Sequence, residues 1–267
     1  MKNSILITLA VFAATFLNAQ DSQQWKIGFK LNPNVSWIKP DNKSITQEGN
    51  VFRFGFSLNA DKHFTDNYAL GLGLNITRTG GELSYLRQTN AVPEGKVDEV
   101  PHISMVTRTY KLQYIEVPLT LKLRTNEIGY ITYWGQFGLG LGININAKAD
   151  DEIDYQLEYT NTALEPWAQS DLTSVTVEDE DIKDDINLFR ASLIIGGGIE
   201  YSLSGTTAII AGITYNNGFS NSLKSRGVLT NDSDAVVYEG SGADKKPRQY
   251  ELKGMVNFFE FNIGILF

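Results

Sequence analysis

The sequence predicts an all-β fold, an eight-stranded antiparallel transmembrane β-barrel with long outer loops and short periplasmic turns. Three observations predict it. Apolar and aromatic residues recur with period two over most of the chain, which is the pattern of a strand with one apolar and one polar face. The 267 residues include 24 Gly, 14 Phe and 12 Tyr, a composition that favours strands over helices. The connections between the alternating segments are long and short in strict turn, as in outer-membrane barrels.

The elements follow in order. Lys2, the apolar run Ile5 to Leu17 and then Asn18-Ala19-Gln20 read as a cleaved secretory signal over 1–19, leaving 20–267 as the barrel domain. That apolar run is short of the roughly 20 residues a membrane-spanning helix needs. Trp25, Ile27, Phe29, Leu31, Val35 and Trp37 share one face of a first strand. Phe52, Phe54, Phe56 and Leu58 mark a second, and Tyr68, Leu70, Leu72, Leu74 and Ile76 a third. The fourth, Thr107 to Leu123, changes phase: Tyr110, Leu112 and Tyr114 are even-numbered, whereas Ile115, Val117, Leu119, Leu121 and Leu123 are odd. One extra residue at Tyr114-Ile115, a β-bulge, would produce this, and it would also ease Pro118 into the strand. Ile131 to Asn146 is a fifth strand with a glycine-rich second face, Phe189 to Ser202 a sixth, Ile209 to Asn216 a seventh, and Phe259 to Phe267 an eighth. Tight turns are expected at 61–66, 124–129 and 204–206, and long connections at 38–50, 80–103, 147–186 and 218–249. Tyr68, Tyr133, Tyr201 and Phe267 fall where one membrane interface would lie, and Trp37, Phe52, Tyr110 and Tyr215 where the other would. Eight strands return the chain to its starting side, so both ends of the barrel domain are expected in the periplasm. A secreted β-sandwich gives the same local alternation, but not the alternating connection lengths.

Composition removes several chemistries. Without cysteine there is no disulfide framework, thiolate metal site or cysteine nucleophile, and two histidines cannot build a multi-histidine centre. Thirty-one acidic against 23 basic residues give a net charge of −8, against a general nucleic-acid surface. No cofactor is implied.

The stretch Tyr114-Ile-Glu-Val-Pro-Leu-Thr-Leu-Lys122 closely resembles the Y-[IL]-E-[IV]-P-L-x-[LI]-K segment of the Bacteroidota outer-membrane β-barrel family whose best-known member is PorT. The resemblance implies a small porin-like barrel of the cell outer membrane, exported through its signal peptide, with outer-membrane lipid and the outer-membrane assembly machinery as partners. PorT itself is required by the type IX secretion machinery, so an accessory role there is the alternative the resemblance implies. The terminal series Phe259, Phe261, Ile263, Ile265 and Phe267 resembles the carboxy-terminal aromatic signal that the assembly machinery reads.

Candidate site residues are few. Lys30, Arg53, Glu116 and Glu260 fall on inward faces at comparable counts from the strand ends. Charges in a narrow lumen must be paired or hydrated, so these four are expected to form an interior ion-pair cluster that plugs the barrel or gates it. The longest loop carries Asp150, Asp151, Glu152, Asp154, Glu178 to Asp181, Asp184 and Asp185, a run that is either solvated or able to hold Ca²⁺, although it lacks the residue order of a calcium loop. His102 and Ser104 lie near one another, but one histidine is not a triad and no G-x-S-x-G occurs, so no catalytic residue is assigned. His63 is expected to meet solvent in a tight turn. Three functions remain: a non-enzymatic barrel with a largely plugged lumen whose surface loops meet a partner or solute, a secretion accessory, and an outer-membrane enzyme.

Overall fold

The computed structural model describes residues 25–93, 97–160, 167–231, 235–241 and 245–267; the signal segment 1–19 lies outside them. Period-two alternation becomes strand throughout: β1 (Trp25–Pro40), β2 (Ile45–Gly49), β3 (Val51–Thr65), β4 (Tyr68–Ala91), β5 (Val100–Arg124), β6 (Ile131–Tyr159), β7 (Trp167–Gln169), β8 (Val175–Asp181), β9 (Phe189–Ser204), β10 (Thr207–Gly218), β11 (Arg226–Val228), β12 (Tyr238–Glu239), β13 (Lys246–Pro247), β14 (Gln249–Glu251) and β15 (Gly254–Leu266). Eight of them close a ring in the order β1, β3, β4, β5, β6, β9, β10, β15, every pairing antiparallel. Closure satisfies both edges of every barrel strand, which a bilayer requires because it offers no water to unpaired backbone. The last seam is tied by Ile27 and Phe267, whose amides and carbonyls exchange two hydrogen bonds of 3.1 and 2.7 Å.

The registers fix the shape. Starting at Ile27, the paired residues run Ala60, Leu72, Leu119, Leu139, Leu193, Asn217 and Asn257, and return to β1 at Trp37. The chain is therefore sheared by ten residues around the barrel, which tilts eight strands by about 40° and leaves an interior just wide enough for side chains. At one end the strands meet in tight turns, and two of these need a left-handed residue, supplied by Gly129 (φ 68°) and Gly205 (φ 57°).

At the other end the strands run far beyond a membrane's needs. β4, β5 and β6 are 24, 25 and 29 residues long, whereas about 9–11 suffice to cross. Most of the long connections expected at 80–103 and 147–186 are thus strand, and β2 and β8 pair onto β4 and β6 to widen this outer sheet. Here the hydrophobicity turns inside out. Through the crossing zone Phe29, Phe54, Phe56, Leu119, Leu139, Ile195, Ile213 and Ile263 are exposed on the outer wall and polar side chains fill the lumen. Beyond it Ile38, Leu83, Tyr85, Tyr110, Leu112, Tyr114, Leu252, Val256 and Phe258 point inward and form a buried apolar core. Burying each such side chain is worth about 1.5–3 kcal/mol, so this part holds together as a soluble domain does.

That inversion corrects two expectations. β5 has no bulge at Tyr114-Ile115: its register with β4 is unbroken there, and its even-numbered residues face inward along its length from Val106 onward. The phase change records lipid outside giving way to an apolar core inside. The bulge at this level belongs to β6, where Gln113 pairs with Asn146 and Tyr114 with Asn144, leaving Ile145 unpaired. Tyr110, expected at the membrane interface, is consequently buried in the core, while Trp37, Tyr215 and Phe259 cluster on the outer wall with centroids 4.8–6.2 Å apart. Pro118 needs no bulge either, because the β4–β5 ladder skips its position opposite Gly73.

Candidate functional site: the charged lumen and the apolar core above it

The lumen charges form two layers. Nearer the turn end, Lys122 Nζ donates to Asp61 Oδ2 at 2.7 Å and lies 2.6 Å from Glu200 Oε1, while Arg124 Nη2 donates to Glu200 Oε2 at 2.7 Å. Lys26 stands 3.8 Å from Glu200 at the mouth, where a polar vestibule of about 600 Å³ opens between the turns. Trp134 is folded into this layer under Lys122, 5.3 Å from its ammonium, and packs where Gly198 and Gly212 leave no Cβ in the way. Higher up, Arg190 Nη1 donates to Glu116 Oε2 at 2.6 Å, Arg190 Nη2 donates to Asn216 Oδ1 at 2.6 Å and to the Val256 carbonyl at 3.0 Å, and Asn216 Nδ2 donates to Glu116 Oε1 at 3.2 Å. Both ions are at most 2% exposed. Such close matching offsets the cost of taking both charges out of water.

Of the four residues expected to cluster, Lys30, Glu116 and Glu260 are buried in the lumen. Arg53 is not part of the cluster. It is half-exposed, no ion pair joins it to Glu116 or Glu260, and its charge acts on Asp150 in the outer region. The guanidinium that meets Glu116 comes instead from β9, as Arg190. Arg190, Lys122, Asp61, Glu200 and Trp134 went unassigned in the sequence; Arg190, Lys122 and Glu200 lie on polar faces of alternating strands, which was the available signal, whereas Asp61 fell in the turn expected at 61–66 and joins the lumen because β3 runs on to Thr65. The segment Tyr114 to Lys122 gains a physical meaning. Its inward residues Tyr114, Glu116, Pro118, Thr120 and Lys122 supply part of both charge layers and the start of the apolar core above them.

Directly over Arg190 lie the rings of Phe258 and Tyr114, with centroids 5.2 and 6.0 Å from the guanidinium carbon. They are the floor of the apolar core. Outside that core a second buried arginine, Arg108, fastens the 147–188 connection to the barrel. Arg108 Nε donates to Asp151 Oδ1 at 2.6 Å, Nη2 donates to Asp151 Oδ2 and, at 2.9 Å, to Glu180 Oε2, and Nη1 donates to Asp185 Oδ2 at 3.0 Å. Burial opposes its charge, yet the bond to Asp151 holds the guanidinium more firmly protonated than usual. Burial also raises the Glu180 carboxyl, against the pull of Arg108 and with Asp151 adding to the rise. Lys111 binds Asp150 at 2.7 Å and Asp179 at 3.0 Å, and its hydrogen bond draws Asp150 below the usual range. These acids are therefore engaged by cations of the same region, and among the described residues no group of three or more His, Asp or Glu is arranged to hold a metal.

Each histidine has one ring nitrogen against a neighbouring polar group. His102 Nδ1 bonds the Val100 carbonyl at 2.9 Å and Ser104 Oγ bonds Thr89 Oγ1 at 2.7 Å, so no hydrogen bond links that pair. His63 lies on β3 rather than in a turn, with Nε2 3.2 Å from Arg124 Nη1, because β3 runs on to Thr65.

A closed ring with lipid-exposed apolar walls and a charged interior defines an integral β-barrel of the outer membrane. The outer membrane protein beta-barrel domain family matches residues 18–224, and the chain belongs to that family. Similar solved structures include Neisserial surface protein A (12% identity over 91% of this chain and 95% of that one, TM-score 0.39) and Ail, the attachment invasion locus protein of Yersinia pestis (14%, 92% and 100%, 0.34). The outer membrane protein OprG of Pseudomonas aeruginosa is a third (10%, 91% and 94%, 0.39). No curated protein matches the sequence.

Proposed function

We propose that the protein is a closed, non-enzymatic outer-membrane barrel of the PorT-like kind, whose folded outer region, rather than its lumen, meets a surface partner or solute. One observation carries this reading: just above the Glu116–Arg190 pair the rings of Tyr114 and Phe258 begin a buried apolar core on the inner side of the strands. Hydrated ions do not cross a desolvated apolar layer, and below it Glu116 is matched by Arg190, and Asp61 and Glu200 by Lys122. The long β4, β5 and β6 extensions, with β2 and β8 beside them, offer the outside a broad sheet. In this reading the turn end faces the periplasm and the long end the exterior, and the lipid-exposed series Phe259, Phe261, Ile263, Ile265 and Phe267 doubles as the assembly signal.

Planar bilayers test the closure. Purified, refolded protein is expected to give no steady conductance above the bare membrane; a large, steady conductance would overturn the reading in favour of a pore. The accessory role in type IX secretion attaches to the Tyr114 to Lys122 resemblance, and co-purification of secretion components from the native host would establish it separately.

A further inference from the structure

Between the two charge layers lies a cavity of about 20 Å³, lined by Lys30, Asn75, Thr214, Glu260 and Asn262 among others. Three of these side chains stand out because they are more than nine-tenths buried and lack a direct partner. Lys30 is 5% exposed and Glu260 6%, and among the described residues neither side chain makes an ion pair or hydrogen bond. Asn75, 8% exposed, has an Oδ1 with no donor. The neighbouring lumen ions are matched directly, Glu116 by Arg190, and Asp61 and Glu200 by Lys122.

We propose that this cavity is a structural water site, in which one ordered water, or two, links Lys30 to Glu260 and to Asn75. Size points to water. A site needs roughly 10–15 Å³ by this measure to hold one molecule, so about 20 Å³ accepts it and leaves no room for a hydrated ion. Charge points the same way, since a cation would meet the Lys30 ammonium and an anion would meet the Glu260 carboxylate. The ligand must accept a hydrogen bond from an ammonium and donate to two oxygens, and a neutral molecule of this size with both capacities is water.

The test is a crystal structure of the detergent-refolded protein at high enough resolution to place waters, together with NMR of protein labelled with ¹⁵N-lysine in bicelles. A density peak about 2.7–3.2 Å from both Lys30 Nζ and a Glu260 carboxylate oxygen is expected. The Lys30 ammonium is expected to show an exchange cross-peak with water, absent from Lys30→Met. Direct contact of Lys30 Nζ with Glu260, with no peak between them and no water cross-peak, would overturn the proposal. Both wild-type measurements decide the matter even if Lys30→Met does not refold.

Discussion

Glu116 and Arg190 hold one another at 2.6 Å, with both side chains at most 2% exposed. Glu116→Gln leaves the guanidinium half-answered and should cost about 3–5 kcal/mol, the usual penalty for stranding one member of a buried pair. Glu116→Gln combined with Arg190→Met should cost less than the single change, because nothing is then left unpaired. Arg53→Ala should fall within about 0.5 kcal/mol of wild type, as an unpaired, half-exposed side chain does. Urea unfolding in lipid vesicles measures all three, and additive losses for Glu116 and Arg190 would contradict the pairing. The sequence exposed Glu116, because a carboxylate alternating with Ile115 and Val117 must face inward. It did not expose the partner: counting positions along each strand gives a height, but which guanidinium reaches across the lumen depends on side-chain reach from the opposite wall. Trp134 was hidden for another reason, being an apolar residue on an inward face made acceptable only by glycines on strands β9 and β10.

Within a single strand, β5 passes from lipid-facing to core-forming without changing the way its side chains point. Val117 is 47% exposed on the wall and Gln113, four residues higher, lies on the same outward face above the apolar belt. Arginine at Val117 should therefore cost about 2–4 kcal/mol, the penalty for a basic side chain at the bilayer midplane, whereas Gln113→Arg should cost about 0–1 kcal/mol. On the inward face, Leu112→Ala should cost about 2–5 kcal/mol, as deletions in a packed core do. Refolding titrations of the three variants check this, and equal penalties at Val117 and Gln113 would show that the belt ends elsewhere. Strand existence and face were readable from alternation alone. The length of the outer sheet was not, since the polar residues along 80–103 and 147–158 read as loop when only lipid is considered as the apolar partner. An apolar core on the inner side was the alternative, and Tyr110, Leu112 and Tyr114 were its trace.

At the scale of the whole molecule, shear, strand number and alternate connection lengths make the two ends unlike: one has three tight turns and the Ile27–Phe267 seam, the other the outer sheet with its Arg108 clasp. With the turn end in the periplasm, protease added to intact cells should cut only in connections of the long end, and never at 66–67, 125–130 or 205–206 unless the cells are permeabilised. Cutting within 147–188 should also report the clasp, rising in Arg108→Met because Asp151, Glu180 and Asp185 then repel one another without a cation between them. The pH profile has two limbs of opposite sign. Asp150 is drawn below its ordinary value of 3.8 by Lys111, so its contribution is complete above that value and is lost as pH falls through the lowered one. Glu180 is raised above 4.5, mainly by burial, so its contribution is full below 4.5, with the carboxyl protonated, and is lost as pH rises through the raised value. Resistance of the 147–188 connection, followed with a broad-range protease on refolded protein, should accordingly peak under mildly acidic conditions and fall on both sides. A flat profile would mean that the backbone pairing of β8 to β6 holds this connection without the clasp, and cleavage of the tight turns in unpermeabilised cells would invert the orientation altogether.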